Sequence, residues 1–346
     1  MIQDSKFKIG KYMVFAMAAG LFLSCTKAVD FSGDMPEPRL VVNCFVEPDS
    51  IVRVFVSRSW PVTESQGETF ADATVELYIN DVLQPPMQAV NAETSQPSYV
   101  SAAEVRENDR VKLSVAREGF AAVTAETVVP PAAPILAIDT ARLGDGSLRC
   151  LVRLNDAQPG TPNYYRLCAW QECLIDGVWK NGFSDTAYFG DQYHVWWNSV
   201  NNNNFNYDRE PALRVEFEDV TSDIVGTSDL NGYGIFSDDL FDSREYALNI
   251  TIKPKINYDT SDGDWWETEL ENRKIFDTRY VFKLVALSPS AYRYLKSLTI
   301  FEHNGEDSFF VEPLPVYSNI AGGLGILGAC RTDTKIIDIP RHLLTE

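Results

Sequence analysis

The sequence predicts an all-β protein built as two β-sandwich domains: a first, immunoglobulin-like one, and a second, larger one with one short helix and long insertions. Three observations lead there. From Leu40 onwards, short apolar and β-branched runs alternate with turn residues. Pro130, Pro131 and Pro134 interrupt that pattern in mid-chain and stiffen it, which places a domain boundary between residues 131 and 132. Helical spacing is confined to Pro289 to Leu298, where Ser288 serves as N-cap, Pro289 as first helical residue, and Tyr292, Leu295 and Leu298 as the apolar stripe.

The strands follow in order. Residues 39–131 hold runs at Leu40 to Val46, Ile51 to Ser57, Ala73 to Ile79, Tyr99 to Ala102, Arg110 to Ala116 and Ala121 to Val129. Arg110 to Val115 alternates polar and apolar, the pattern of a strand with one wet face, and Arg117-Glu118-Gly119 supplies the turn after it. That many short strands in about 95 residues fit an immunoglobulin-like sandwich. Residues 132–346 continue with Leu148 to Leu154, Tyr164 to Leu174, Leu213 to Phe217, Tyr246 to Ile252 and Arg279 to Leu287, interrupted by insertions near 178–210 and 256–273.

Ahead of the sandwiches stands a segment that addresses the chain. Lys6, Lys8 and Lys11 face a single acid, Asp4, and precede an uncharged apolar run of 11 residues from Met13 to Leu23. A bilayer-crossing helix needs ~20 apolar residues, so residues 1–24 read as a signal peptide. Phe22-Leu23-Ser24-Cys25 closes it as a lipoprotein cleavage site does, with the Cys25 thiol lipidated, although Phe22 stands where Leu is usual. The alternative is an ordinary signal peptide cut near Cys25. Acyl chains stabilise membrane attachment by ~0.8 kcal/mol per CH2, so residues 25–38 become a tether and the rest an anchored body.

Without residues 1–24 the chain carries 48 acids and 27 bases, a net charge of −21. Such a surface repels nucleic acid and anionic headgroups, and is compatible with cations, sugars, peptides or a basic protein patch. Cys44, Cys150 and Cys330 lie in apolar strand surroundings as small buried hydrophobes, while Cys168 and Cys173 point to opposite faces of one strand. Only His194, His303 and His342 are present, with no C-x-x-C and no G-x-S-x-G, which argues against a zinc site and a nucleophilic triad.

Two intervals concentrate candidate binding chemistry. Tyr193, Trp196, Trp197, Asn198 and Tyr207 join flat rings to amides, a combination that stacks on sugar rings or peptide side chains while hydrogen-bonding their polar edges. The bland reading is a covered sandwich edge beside a polar loop. Asp259, Asp262, Asp264 and Glu267 surround Trp265 and Trp266 and are weak calcium candidates. Aligning Gly263 with the sixth position of a calcium loop puts Tyr258 and Thr260 where oxygen ligands belong, so an EF-hand fails and a solvated acidic hairpin is the simpler reading. Gly323, Gly325 and Gly328 spell a dinucleotide fingerprint without the βαβ unit it requires, and read better as a strand or bulge approached by another backbone or a bulky ring.

The closing stretch Asn319-Ile320-Ala321-Gly322-Gly323-Leu324-Gly325-Ile326-Leu327-Gly328-Ala329 resembles that of a Bacteroidetes lipoprotein family known as domain of unknown function 4249. Leu40-Val41-Val42-Asn43, Phe236 to Asp242 and Ser290 to Leu295 are similar to it as well, while Leu327 stands where an aromatic is more usual. The resemblance implies an outer-membrane lipoprotein encoded near TonB-dependent transporters and supplies no catalytic residues. The expectation is therefore a non-catalytic binding module for nutrient uptake, lipid-anchored to the outer membrane, at the cell surface or on its periplasmic face. Its partners would be a transporter and a glycan or peptide ligand, with no cofactor, no resident metal and no nucleic acid. The alternatives are a structural or adhesive surface lipoprotein working through edge strands and, third, a glycan- or peptide-processing enzyme.

Overall fold

In the computed structural model the described residues are 37–61, 67–92, 96–175, 178–181, 205–207, 209–214, 231–253, 277–307 and 315–340. The first eight strands are β1 (Leu40–Val46), β2 (Val52–Arg58), β3 (Thr74–Ile79), β4 (Val82–Leu83), β5 (Gln88–Val90), β6 (Ser98–Ser101), β7 (Arg110–Ala116) and β8 (Val123–Val128), and in β1, β2, β3, β7 and β8 every second side chain is buried. Each inward residue is Val, Leu or Ile more often than not, because a half-buried pleat favours β-branched side chains. Asn80 and Asp81 adopt φ of 51° and 66° between β3 and β4, the left-handed pair that a two-residue hairpin demands.

The remaining elements are β9 (Ile135–Arg142), β10 (Leu148–Asn155), β11 (Tyr164–Ile175), β12 (Val178–Asn181), β13 (Phe205–Asn206), β14 (Ile235–Ser237), β15 (Glu245–Ile252), β16 (Thr278–Leu287), α1 (Pro289–Asp307) and β17 (Leu324–Ile339). Among the described residues everything regular is β apart from α1 and one 3-10 turn at Pro211–Leu213. That turn replaces the beginning of the strand expected at Leu213, and residues 215–217 lie outside the described residues. The helix starts as expected, with Ser288 Oγ accepting from Ala291 N, but it is 19 residues long. β-branched Thr299 and Ile300 hide its continuation from sequence. Thr299 is nonetheless buried, its hydroxyl donating to the Leu295 carbonyl, so tertiary packing overrides propensity there.

One nine-stranded sheet runs β12-β11-β16-β17-β1-β2-β6-β5, with β14 also on β11. Two four-stranded sheets, β4-β3-β7-β8 and β13-β15-β10-β9, pack on it. The first makes a core with Leu40, Val42, Cys44 and Val46 of β1 and with Leu327 and Ala329 of β17. The second makes a core with Tyr280, Phe282, Leu284 and Ala286 of β16 and with Ile339 of β17. Odd-numbered residues of β17 enter both cores, so the small sheets cover the same face of the long one. Val285, Leu287 and Cys330 point the other way, against Ala291 and Leu295 of α1. The proline-rich stretch at 130–134 does lie between the two cores, yet the hydrogen-bonded ladder crosses it, because β1 pairs with β17. By contacts, residues 38–346 form one compact unit.

Candidate functional site

β1 and β17 run parallel, with Val41 opposite Leu324 and Val46 opposite Ala329, although some 280 residues separate them. The glycines of this segment are explained by what a side chain would strike. A Cβ on Gly323 would sit 2.6 Å from the Leu40 carbonyl oxygen, one on Gly325 would sit 2.2 Å from that of Val42, and one on Gly328 would sit 2.5 Å from the Phe45 ring. Gly325 also has φ of 99°, a conformation only glycine adopts without strain. Asn319 completes the seam: its amide accepts from Leu327 N (2.9 Å) and donates to the Leu327 carbonyl (2.9 Å) and to the Glu126 carbonyl of β8 (3.2 Å). The glycine motif is thus a close-approach strand, as the sequence suggested, and not a phosphate cradle.

Three polar knots stand in the second sandwich. Asp156 after β10, and Asp238 and Asp242 after β14, bring carboxylate oxygens within 4.8 Å of one another. Asn163 lies among them and donates its side-chain nitrogen toward Asp156 Oδ1 (2.8 Å) and Asp238 Oδ2 (2.9 Å), while its backbone N–H also reaches Asp238 (3.0 Å). Burial raises the Asp238 pKa, the Asn163 donors offset part of the rise, and the neighbouring Asp156 charge adds to it. Exposed Asp242 is lowered instead, by the Gly160 N–H and the Ser243 hydroxyl. This oxygen-rich set could hold a hard cation. Both Asp156 oxygens, Asp238 Oδ2 and Asp242 Oδ1 already accept from the chain's own donors, among them Gln158 N (3.1 Å) and Ser243 N (2.8 Å) on Asp156.

The second knot is Glu210, 1% exposed, which accepts from Ala212 N (2.9 Å), the Tyr246 hydroxyl (2.7 Å) and Asn249 N (2.6 Å). The third is fully buried Asn231, donating to the carbonyls of Leu213 and Ile235 (both 2.8 Å) and accepting from Ile235 N (3.0 Å). Leu213 and Asn231 flank the interval 215–230, so this amide closes its base. Sequence reading missed all three, although Asp156-Ala157-Gln158-Pro159-Gly160 carried a turn signature that could have flagged the first.

Of the sequence-predicted site residues, Cys25, Tyr193, Trp196, Trp197, Asn198, Asp259, Asp262, Asp264 and Glu267 lie outside the described residues. Tyr207 does not fit the role of an exposed contact: it is 4% exposed within the second core, and its hydroxyl donates to the Asn231 carbonyl (2.9 Å). One aromatic ring in the set therefore serves packing, because a phenol with a buried carbonyl partner sits as well inside as outside. Cys44, Cys150, Cys168 and Cys330 are free and buried, with burial pushing the Cys44 and Cys150 thiols up to about 12, far from thiolate reactivity.

Strand polarity does bring the attachment points of the two candidate intervals together. β10 ends, and β11 begins, at the carboxylate knot; the opposite ends of the same ladders carry Ile252, Ile175, Thr278 and Ile339. The interval 182–204 returns at Phe205, paired with Ile252, and the interval 254–276 returns beside Thr278. Both aromatic stretches thus attach at one end of the second sandwich. Residue 38 enters at the other extreme, since β1 begins beside Leu324. The 16 residues of β17 from there to Ile339 span ~50 Å at about 3.3 Å per residue.

The family described as domain of unknown function DUF4249 matches residues 26–336. The chain belongs to that family. No curated protein matches the chain. The stretches that resemble DUF4249 fall on the joints of the fold: Leu40 to Asn43 on β1 at the parallel seam, Phe236 to Asp242 around the carboxylate knot, Ser290 to Leu295 on the first turns of α1, and Asn319 to Ala329 where β8, β1 and β17 meet. In this chain those residues hold the architecture together.

Proposed function

We propose that this chain is an outer-membrane lipoprotein, anchored through lipidated Cys25, that works as a non-catalytic binding module beside a TonB-dependent transporter in nutrient uptake. The observation that carries the reading is Phe22-Leu23-Ser24-Cys25 directly after the 11-residue apolar run. Strand polarity supports it. The tether joins one extreme of the shared sheet, and the intervals holding Tyr193, Trp196, Trp197 and Asn198 attach at the other, ~50 Å away at about 3.3 Å per residue. A glycan or peptide is the ligand class that rings and amides serve, and the acidic surface suits a basic patch on a partner.

Mass spectrometry of the chain purified from membranes tests the anchor. A mature species that begins at Cys25 and carries acyl mass is the expected result, with Cys25→Ala releasing the body from the membrane; an unmodified thiol overturns the reading. Trp196→Ala with Trp197→Ala should then abolish co-purification of a transporter or retention on a glycan or peptide array. A structural or adhesive role is the second reading, favoured by a half-open strand edge in the long sheet.

A further inference from the structure

We infer that β17 is a self-pairing edge, through which two copies of this chain join their long sheets antiparallel about a two-fold axis at Ile336. β1 covers β17 only as far as Ala329, and among the described residues no strand pairs with that side from Cys330 to Ile339. The direction of the backbone groups there is fixed by their neighbours. Ala329 and Leu327 present theirs to the β16 side, where the Ala329 carbonyl accepts from Ser288 N (2.8 Å) and Leu327 N donates to Asn319 Oδ1 (2.9 Å). Even-numbered residues therefore face the β1 side. Thr332 N confirms it: beyond the end of β1 it donates to the Glu47 carboxylate (3.0 Å), a side chain standing in for a strand. Past that stand-in, Thr334, Ile336 and Asp338 direct three N–H and three C=O groups at the open edge.

A second copy satisfies all six. With the axis at Ile336, the two Ile336 backbones exchange N–H and C=O bonds with each other, and Thr334 and Asp338 exchange theirs with Asp338 and Thr334 of the other copy. The side chains agree with that register. All three are exposed on the face away from the cores, Ile336 at 48%. Trp170, Val281 and Ile336 form one cross-strand row over β11, β16 and β17, and the row stops at the open edge. Pairing would continue it with isoleucine on isoleucine, and would set each Thr334 hydroxyl against a carboxylate rather than one acid against another. Leu136, 39% exposed, lies at the same edge, where Lys335 Nζ donates to its carbonyl (2.8 Å) and Asp333 accepts from Ile135 N (2.7 Å). These contacts use the opposite face of β17 and leave the edge groups alone.

The test is sedimentation velocity on the purified full chain in detergent, over a concentration series and at two salt concentrations. A reversible dimer is expected, and it should strengthen with added salt because two net-negative bodies repel at low ionic strength. Ile336→Pro, which removes one edge N–H without touching the β16 ladder, should abolish the dimer while leaving the thermal melt in place; Ile336→Lys should weaken it with the backbone intact. Ile336→Cys should form an interchain disulfide under mild oxidation that the parent chain does not form. A parent chain that stays monomeric at every concentration overturns the inference. So does a dimer unchanged by Ile336→Pro and not cross-linked through Ile336→Cys. Pairing needs no acyl group, so failure here and failure of the anchor at Cys25 are read separately.

Discussion

The two sandwiches share a sheet and solve the same packing problem with different materials. Around β1, β2, β3 and β7 the core is mainly aliphatic, with Val42, Val46, Val52, Val54, Val56, Val75, Val111 and Val115 interdigitating around two buried rings, Phe70 and Tyr99, between strands joined mostly by short turns. Around β10, β11, β15 and β16 it carries Tyr165, Tyr207, Phe236, Phe241, Tyr280 and Phe282, and buries Asp156, Asn163, Glu210, Asn231 and Asp238 at its margins. At Glu210 and Asn231, which both lie in the long connection from β13 to β14, the difference follows from connection length, whereas the Asp156 knot sits on connections no longer than the one from β6 to β7. A tight hairpin satisfies its own backbone groups, whereas a long connection leaves carbonyls and N–H groups at its base that something must pair. Buried amides and carboxylates do that here, and each is a place where one atom's change leaves partners stranded.

The sharpest way to break the comparison is to cut the joint between the halves. Gly325→Ala would place a methyl 2.2 Å from the Val42 carbonyl oxygen at φ of 99°, and neither backbone can yield without opening the parallel pair. A loss of about 3 kcal/mol or more is expected in denaturant unfolding. Both sandwiches should lose stability together. Gly119→Ala is the control: φ is 84° but nothing lies within 4 Å of the new methyl, so strain alone should cost about 1 kcal/mol.

Next comes the contrast in materials. Asn231→Ala strands the Leu213 and Ile235 carbonyls and Ile235 N in a buried site, and should cost about 3 kcal/mol, since each unpaired buried group costs roughly 1–3 and relaxation recovers part. Val54→Ala, fully buried in the aliphatic core, removes two methyls and should cost about 2 kcal/mol. The separation should widen under hydrogen exchange, with Asn231→Ala exposing amides of β14 and its flanks while Val54→Ala lowers protection throughout. Glu210→Gln is milder, at about 1–2 kcal/mol, because an amide oxygen at the Oε1 position keeps Ala212 N and the Tyr246 hydroxyl, and Asn249 N alone loses its acceptor.

Legibility in the sequence divided along the same line. The period-two alternation of β1, β2, β3, β7, β8 and β10 was plain, because each buries one face more deeply than the other. β16 carries buried side chains on both faces and α1 covers part of one, so its strand could be read but its layer could not. β17 was visible only at its glycines, since Leu324 to Ala329 lacks alternation where three neighbours crowd it. The parallel β1–β17 pair left no local trace, as a contact spanning nearly the whole chain cannot. The knots escaped for a related reason: Asp156 and Asp238 are ordinary turn acids until the fold brings them to one asparagine.

The smallest expected effect separates the halves by sign. Asp72, in the first, has its pKa held below 3.8 by the hydrogen bond from Arg117, whose guanidinium also stacks on Phe70 at 3.6 Å. A depressed carboxylate contributes stability above pH 3.8 that disappears as pH falls through its lowered folded value. Asp238, in the second, has its pKa raised by burial, so the folded chain holds that proton more tightly than the unfolded chain does. Its contribution is complete below pH 3.8 and is lost as pH rises through the raised folded value. Chemical denaturation of Asp72→Asn, from about pH 3 to 7, should show a deficit against the parent that is full at neutrality and closes at the acid end. Asp238→Asn should show the reverse, with a deficit largest in acid that shrinks as pH rises, because at neutrality the parent must keep an ionised carboxylate buried beside Asp156. Parallel curves for the two variants would mean that Asp238 behaves as a solvated surface acid, and the distinction between a core closed by short turns and one closed by buried polar knots would lose its electrostatic half.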